Sequence, residues 1–195
     1  MKVIGMHASD LLLNRYSAMK LSDPAPAAEA LERILSSAVR APDHGRLRPW
    51  RFILIDGDRR LQFGDLLADS LRRRRPDAPE DALNRERGKA LRAPLIIVVA
   101  AACNPTAKIP VIEQILAAGA AAQNIMLAVF AEGFGAMWKT GDAAYDDDVK
   151  TALGLAAGDA IVGFLYVGTD STGPSPVPQP SWRDFVRPWG GAPSA

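Results

Sequence analysis

The run from Pro110 to Glu132, PVIEQILAAGAAAQNIMLAVFAE, closed by Gly133, constrains this chain more than any other stretch. Proline suits a first helical turn, where the N–H it lacks would have no partner. Gly133 can take the left-handed conformation that ends a helix. The only charges in the run are Glu113 near the start and Glu132 at the finish. A helix apolar on nearly every face must be surrounded. Ile115 to Ala131 carries no charge and is nearly long enough to span a bilayer. Against a span stand Gln114, Gln123, Asn124 and so much Gly and Ala that transfer into lipid gains little. The run therefore reads as the buried spine of a soluble fold. Its small residues, Ala117 to Ala122, suit close approach of another backbone at a helix–helix or subunit contact.

The remainder fits one domain with an appended arm in a chain of 195 residues, 48% of them hydrophobic, which is enough for a real core. A net charge of +1 gives no global reason to expect nucleic acid or an acidic membrane surface as partner. Cys103 is the lone cysteine and cannot form an internal disulfide, so a reducing, cytoplasmic compartment is expected. The N-terminus, MKVIGMHASD, is broken by His7, Ser9 and Asp10 before an apolar signal core forms.

In chain order, Ser9 is expected to cap a short helix reaching Arg15-Tyr16-Ser17. Leu31, Ile34, Leu35, Ala38 and Val39 predict an amphipathic helix ended by Pro42. Trp50 to Ile55 reads as a strand, and Asp58 as the cap of a helix carrying Leu61, Leu66, Leu67 and Leu71. Arg72 to Arg75 end that helix; four arginines could hold phosphates, but in a chain near neutral they read first as cations offsetting the macrodipole at a helix C-terminus. Pro79 to Leu91 is expected to be a helical, exposed lid. Leu95 to Ala101, apolar on both sides, predicts a central strand. Gly135 to Gly141 reads as a strand edge, and Asp146 to Asp148 as the first turn of a short helix. Three consecutive carboxylates splay around a helix, so they suit capping and not a metal. Ala160 to Gly168 is the last strand of the body. Pro174, Pro176, Pro178 and Pro180 then impose an extended tail bearing Trp182, Phe185, Val186 and Trp189. Aromatics in such a tail need a surface that hides them, most simply on a second copy of the chain.

Several chemistries are eliminated. Gly133-Phe134-Gly135 follows a helix and runs into Trp138 where a third dinucleotide-binding glycine would stand, and no Walker A pattern occurs. His7, His44 and Cys103 form no metal set, and no G-x-S-x-G occurs to activate a serine. Three stretches remain. Arg15-Tyr16-Ser17 offers a guanidinium fork and a hydroxyl suited to phosphate, or simply an exposed arginine at a helix end. Arg40, His44, Arg46 and Arg48 crowd a loop ending in Pro49-Trp50, and they repel unless an anion or Asp43 lies among them. Trp138-Lys139-Thr140-Gly141 places an indole, an ammonium and a hydroxyl at a strand end, equally readable as core tryptophan plus surface lysine.

Together these stretches resemble the nitroreductase flavoprotein family. Arg15-Tyr16-Ser17 is similar to its R-R-S element. Ala41-Pro42-Asp43-His44 with Pro49-Trp50 resembles its A-P-[SD]-x…P-W loop, in the form of the short, YdjA-like branch. Gly133-Phe134-Gly135-x-x-Trp138-Lys139-Thr140-Gly141 resembles that branch's G-F-G-x-x-W-[RK]-[ST]-G segment, and Ile161 to Gly168 the family's final body strand. Order and spacing match from about Ser9 to Gly168.

The resemblance implies an α+β homodimer with a central, mostly antiparallel sheet, a long central helix as dimer core, and two sites at the subunit interface. Residues 1–168 would form the domain that binds flavin mononucleotide (FMN), and 169–195 an arm crossing to the partner. The activity implied is that of an NAD(P)H-dependent oxidoreductase, passing hydride from NADH or NADPH through FMN to a nitroaromatic or quinone-like acceptor. Arg15 and Ser17 would hold the phosphate and ribityl chain with Tyr16 between them, and Arg40 and His44 would contact the flavin from the Pro42 loop. Trp138, Lys139, Thr140 and Gly141 would lie at the isoalloxazine, with Arg40 or Lys139 as the cation near N1–O2. The flavin carries the chemistry, so no catalytic side chain is required. One open face then predicts ping-pong kinetics. A flavin enzyme of one specific metabolite, dehydrogenase or dehalogenase-like, and a flavin-binding module with little turnover are the alternatives. Four positions depart from the family pattern: Tyr16 stands where arginine is common, Arg46 and Arg48 replace small or amide residues, and Lys139 replaces arginine, losing the bidentate fork.

Overall fold

The run LIIVVAA is buried at all seven positions as the strand Leu95–Ala101, and the rest of the fold is laid on its two faces. The computed structural model describes residues 6–174 and 179–190. The opening MKVIG, together with Pro176 and Pro178 of the alternating prolines, lies outside the described residues. In chain order the elements are α1 (Ala8–Asn14), β1 (Leu21–Ser22), α2 (Ala28–Ala38), β2 (Trp50–Asp56), α3 (Arg59–Arg74) and α4 (Glu80–Lys89). Then come β3 (Leu95–Ala101), α5 (Val111–Ala131), β4 (Gly135–Lys139), α6 (Asp147–Ala152) and β5 (Ala160–Asp170). Single 3-10 turns lie at His44–Arg46, Asp142–Tyr145 and Trp182–Phe185.

The sheet runs β1-β5-β3-β2, with β4 also paired to β5, and every pairing is antiparallel. The expected α+β architecture is borne out. Alternation along β3 divides two cores. Ile96, Val98 and Ala100 pack with Phe63, Leu67, Val149 and Phe164 under α3 and α6. Leu95, Ile97 and Val99 pack with Ile34 and Ala38 of α2 and with Ala121, Ala122, Ile125 and Val129 of α5.

Helix α5 has the length and apolar composition of a membrane span, yet Gln114, Ala117, Ala118, Ala121, Ala122, Ile125, Met126 and Val129 are buried inside the fold. Gln114 fits there because it exchanges hydrogen bonds with the backbone of Asn104 and donates to the carbonyl of Ile109. Burial on nearly every face, expected from the sequence, is not met within one chain: Ile112 and Leu116 are 60% and 63% exposed. The sheet and α2 cover one side of α5, and the side bearing Ile112 and Leu116 stays open.

Three local expectations need correction. His7, not Ser9, caps α1, its Nδ1 accepting from the N–H of Ser9 at 3.4 Å. Asp58 precedes α3 without a side-chain cap bond, because its own backbone is already helical (φ −70°, ψ −19°). Helix α4 is no free lid: Leu83 packs into a small core with Ala68 and Leu71 of α3, and Arg87 pairs with Asp65 and Glu80. The arginines closing α3 are likewise engaged, Arg72 with Asp69, Arg73 with Asp146 and Asp148, and Arg74 with Asp142. Asp146 caps α6 as expected, accepting from the N–H groups of Asp148 and Val149.

Candidate functional site

Chain leaving α1 passes beside the start of β4, where the N–H of Ala18 donates to the carbonyl of Ala136 at 3.0 Å. Tyr16 anchors that passage. Its hydroxyl donates to Asp170 Oδ2 at 2.7 Å, and its ring meets Phe130 edge-on at 5.6 Å. The Asp170 bond, then burial and the Asp170 charge, push the Tyr16 phenol up to about 12. Burial pulls the Asp170 carboxyl upward, but the Thr172 N–H and the Tyr16 and Thr172 hydroxyls outweigh it and hold it below the ordinary range. The proton of Tyr16 is thus committed to Asp170. Arg15 and Ser17 on either side form no side-chain bond among the described residues and are available to an anion.

Strand β4 carries the second group. Where β3 pairs with β5 the register slips between Val99 and Ala100, so Val162 has no partner on β3. The carbonyl of Val162 instead accepts the indole N–H of Trp138 at 3.2 Å. Gly163 makes room for this, since a Cβ there would lie 2.2 Å from Trp138 Nε1. Lys139 faces the other way, into an open groove of about 640 Å³ lined by Met19, Lys20, Leu21, Ser22, Arg92, Met137 and Ser171. None of Lys20, Arg92 and Lys139 forms an ion pair among the described residues. Three such cations and two serines on one wall make an anion-accepting surface.

Thr140 and Gly141 lie behind this groove, on a cavity of about 70 Å³ shared with Glu86, Lys89, Arg74, Asp142 and Tyr166. Burial pushes the Tyr166 phenol up to about 12, with Arg92 opposing and Glu86 assisting. Arg92, which lines the groove, and Glu86, which lines the cavity with Tyr166, are thus both near that ring.

The third group lies elsewhere. His44 Nδ1 meets Glu113 Oε2 at 2.5 Å, at the N-terminal end of α5, while Tyr16 touches Phe130 at its C-terminal end. Seventeen helical steps separate Glu113 from Phe130, roughly 25 Å at 1.5 Å per residue. Arg15, Tyr16, Ser17, Trp138, Lys139, Thr140 and Gly141 therefore gather at β4, whereas His44 stands apart within the same chain and Arg40 follows α2, whose Ser37 carbonyl accepts from Asn124 partway along α5. Asp43 forms no ion pair with Arg46 or Arg48; it accepts the backbone N–H of Arg48 at 2.7 Å.

Lys20, Arg92, Ser22 and Ser171 escaped the sequence reading. Lys20 had a signal, lying three residues past Ser17. Arg92 and Ser171 had none, because only the sheet brings them to β4. Among the described residues no cluster of His, Cys, Asp and Glu could hold a metal.

Residues 12–169 match the model of the Nitroreductase family. The chain is 41% identical over 164 residues to YdjA of Escherichia coli (strain K12), covering 84% of this chain and 88% of that one. It is 38% identical over 165 residues to a Haemophilus influenzae protein, covering 84% and 89%. Both relatives are provisionally named NAD(P)H nitroreductases. Among solved structures, a nitroreductase-like family protein from Bacillus cereus superposes with a TM-score of 0.82 at 25% identity, over 95% of this chain and 97% of the other. A point mutant of the FMN- and NADPH-dependent nitroreductase NfnB, from Sphigopyxis sp. strain HMH, shares the fold with a TM-score of 0.75 at 23% identity, over 96% and 100%.

Proposed function

The chain belongs to the nitroreductase family, and from that premise we propose that it is an FMN-dependent NAD(P)H oxidoreductase working as a homodimer in the cytoplasm. The observation that carries this reading is the cationic groove beside Arg15–Ser17. It is large enough for a cofactor of this class, and Lys20, Arg92 and Lys139 stand in it without carboxylate partners among the described residues. Such a wall fits a phosphorylated, electron-accepting ring.

Arg15 and Ser17 would hold the phosphate and ribityl hydroxyls, with Tyr16 fixing the backbone between them through Asp170. Trp138, Lys139, Thr140 and Gly141 would border the ring, Lys139 supplying positive charge at N1–O2 with Lys20 and Arg92 along the same wall. A fixed positive charge there favours an anionic reduced ring without any reorganisation. His44 would reach this site only from a second copy, because it is held at the opposite end of α5 in its own chain, and Arg40 at the start of the same loop would come with it. The chemistry FMN supplies when bound is acceptance of hydride from NADH or NADPH and its delivery to a nitroaromatic or quinone-like acceptor, one open face serving both in turn.

Assembly answers several otherwise unexplained features. Ile112 and Leu116 on α5, Leu12 and Leu13 on α1, and Trp182, Phe185 and Trp189 beyond the body are all exposed. A second copy packed against α5, with the chain beyond β5 as an arm laid across it, would cover them. Purified protein should be yellow, release FMN on denaturation, and oxidise NADPH faster when a nitroaromatic is added. Parallel double-reciprocal lines are expected of the two-substrate kinetics. Protein that stays colourless when incubated with FMN would overturn the reading, and intersecting lines would remove the ping-pong order.

A further inference from the structure

Three arginines in the loop before β2 have nothing to hold. Arg40, Arg46 and Arg48 are exposed, and none makes an ion pair among the described residues. The carboxylates within reach are already engaged. Asp43 accepts the backbone N–H of Arg48 at 2.7 Å, and Glu113 takes His44 at 2.5 Å. Lys108, next to the Ile109 that packs on Gly45, is exposed too. Like charges so placed repel one another unless an anion lies among them.

The backbone beneath these side chains is braced. Arg46 (φ 55°) and Arg48 (φ 50°) both lie in the left-handed region, which residues with a Cβ rarely occupy. Arg51 donates to the carbonyls of Arg48 at 3.0 Å and Trp50 at 2.9 Å. Gly45 (φ 71°) sits where a Cβ would come within 3.0 Å of Ile109 Cγ1. Held backbone of this kind gathers at ligand-binding sites. What it fixes here is where two exposed arginine side chains leave the loop, two residues apart.

We propose that Arg46 and Arg48 receive the 2′-phosphate of NADPH and make that dinucleotide the preferred electron donor. This rests on the reading above, in which the loop borders the site of a second copy. A dianionic phosphate monoester matches two guanidinium forks. A nitroaromatic or quinone offers no such charge, and the phosphate of FMN has Arg15 and Ser17. NADH and NADPH differ by this one phosphate, so two arginines suffice to choose between them.

Calorimetric titration of the purified full chain with adenosine 2′,5′-bisphosphate and with 5′-AMP tests the assignment directly. The bisphosphate should bind at least about tenfold more tightly, the scale of a charge-assisted bond, and rising salt should shrink the margin. The double variant R46Q/R48Q should lose that margin, with the ratio of kcat/KM for NADPH over NADH falling by a similar factor. Equal binding of the two nucleotides by the unmodified protein, or an advantage surviving the double substitution, would overturn it. The visible spectrum separates the two claims: colourless protein counts against the flavin reading, whereas yellow protein without phosphate preference counts against this assignment alone. The nucleotide comparison is read in either case.

Discussion

Tyr16 and Asp170 lie 154 residues apart and meet at 2.7 Å, a contact that no local pattern announces. It makes Tyr16 the anchor of the segment that carries Arg15 and Ser17. With its phenol pushed up to about 12, folded protein keeps this proton past the pH at which an unfolded tyrosine ionises, near 10. The bond's contribution is therefore intact below about pH 10 and fades as pH rises towards 12. Ultraviolet titration should show two phenols ionising late, Tyr16 and Tyr166, and only one in Tyr16→Phe. That variant should cost about 1 kcal/mol or less in chemical denaturation, since the site is partly exposed. An unshifted titration would remove the anchor. Lys139→Met tests the neighbouring wall. Loss of its charge should lower the two-electron potential of bound flavin by about 30 mV, the equivalent of one 1.4 kcal/mol interaction. An unchanged potential would take Lys139 away from the ring.

Secondary structure shows how far sequence alone reaches. The spine helix, the buried strand β3 and the Asp146 cap were legible because hydrophobic period, proline, glycine and a capping carboxylate are local signals. The state of α4 was not, because its charge hides a single buried Leu83 and a seam against α3. The three motif stretches were legible as candidates, but not their grouping, which depends on which end of α5 each one meets. Nor was the bulge at Val162 that seats Trp138. Gly163→Ala probes that seat. Its Cβ would meet Trp138 Nε1 at 2.2 Å and the Lys139 carbonyl at 3.1 Å, so indole and strand must move. Overpacking of this kind costs about 1–3 kcal/mol. Thermal melts should register the loss, and FMN affinity should fall with it because β4 borders the proposed site. Full retention of both would show that Trp138 has slack there.

At the scale of the molecule, the open side of α5 is the decisive feature. Leu116, 63% exposed, lies on a helix whose other side closes the core, so Leu116→Glu should leave the chain folded. Light scattering should then report a monomer, and the flavin should be lost although no residue proposed to touch it has changed. A dimeric, yellow Leu116→Glu variant would move the interface elsewhere. The central claim is that one site draws Arg15 and Ser17 from one copy and Arg40 and His44 from another. Co-expressing R15A/S17A and R40A/H44A chains under separate tags, and purifying the mixed dimer through both tags, measures this. Each variant alone should be colourless, with both its sites damaged. The mixed dimer should recover one FMN per two chains, because one of its sites carries all four residues intact. A mixed dimer as colourless as its parents would contradict a shared site.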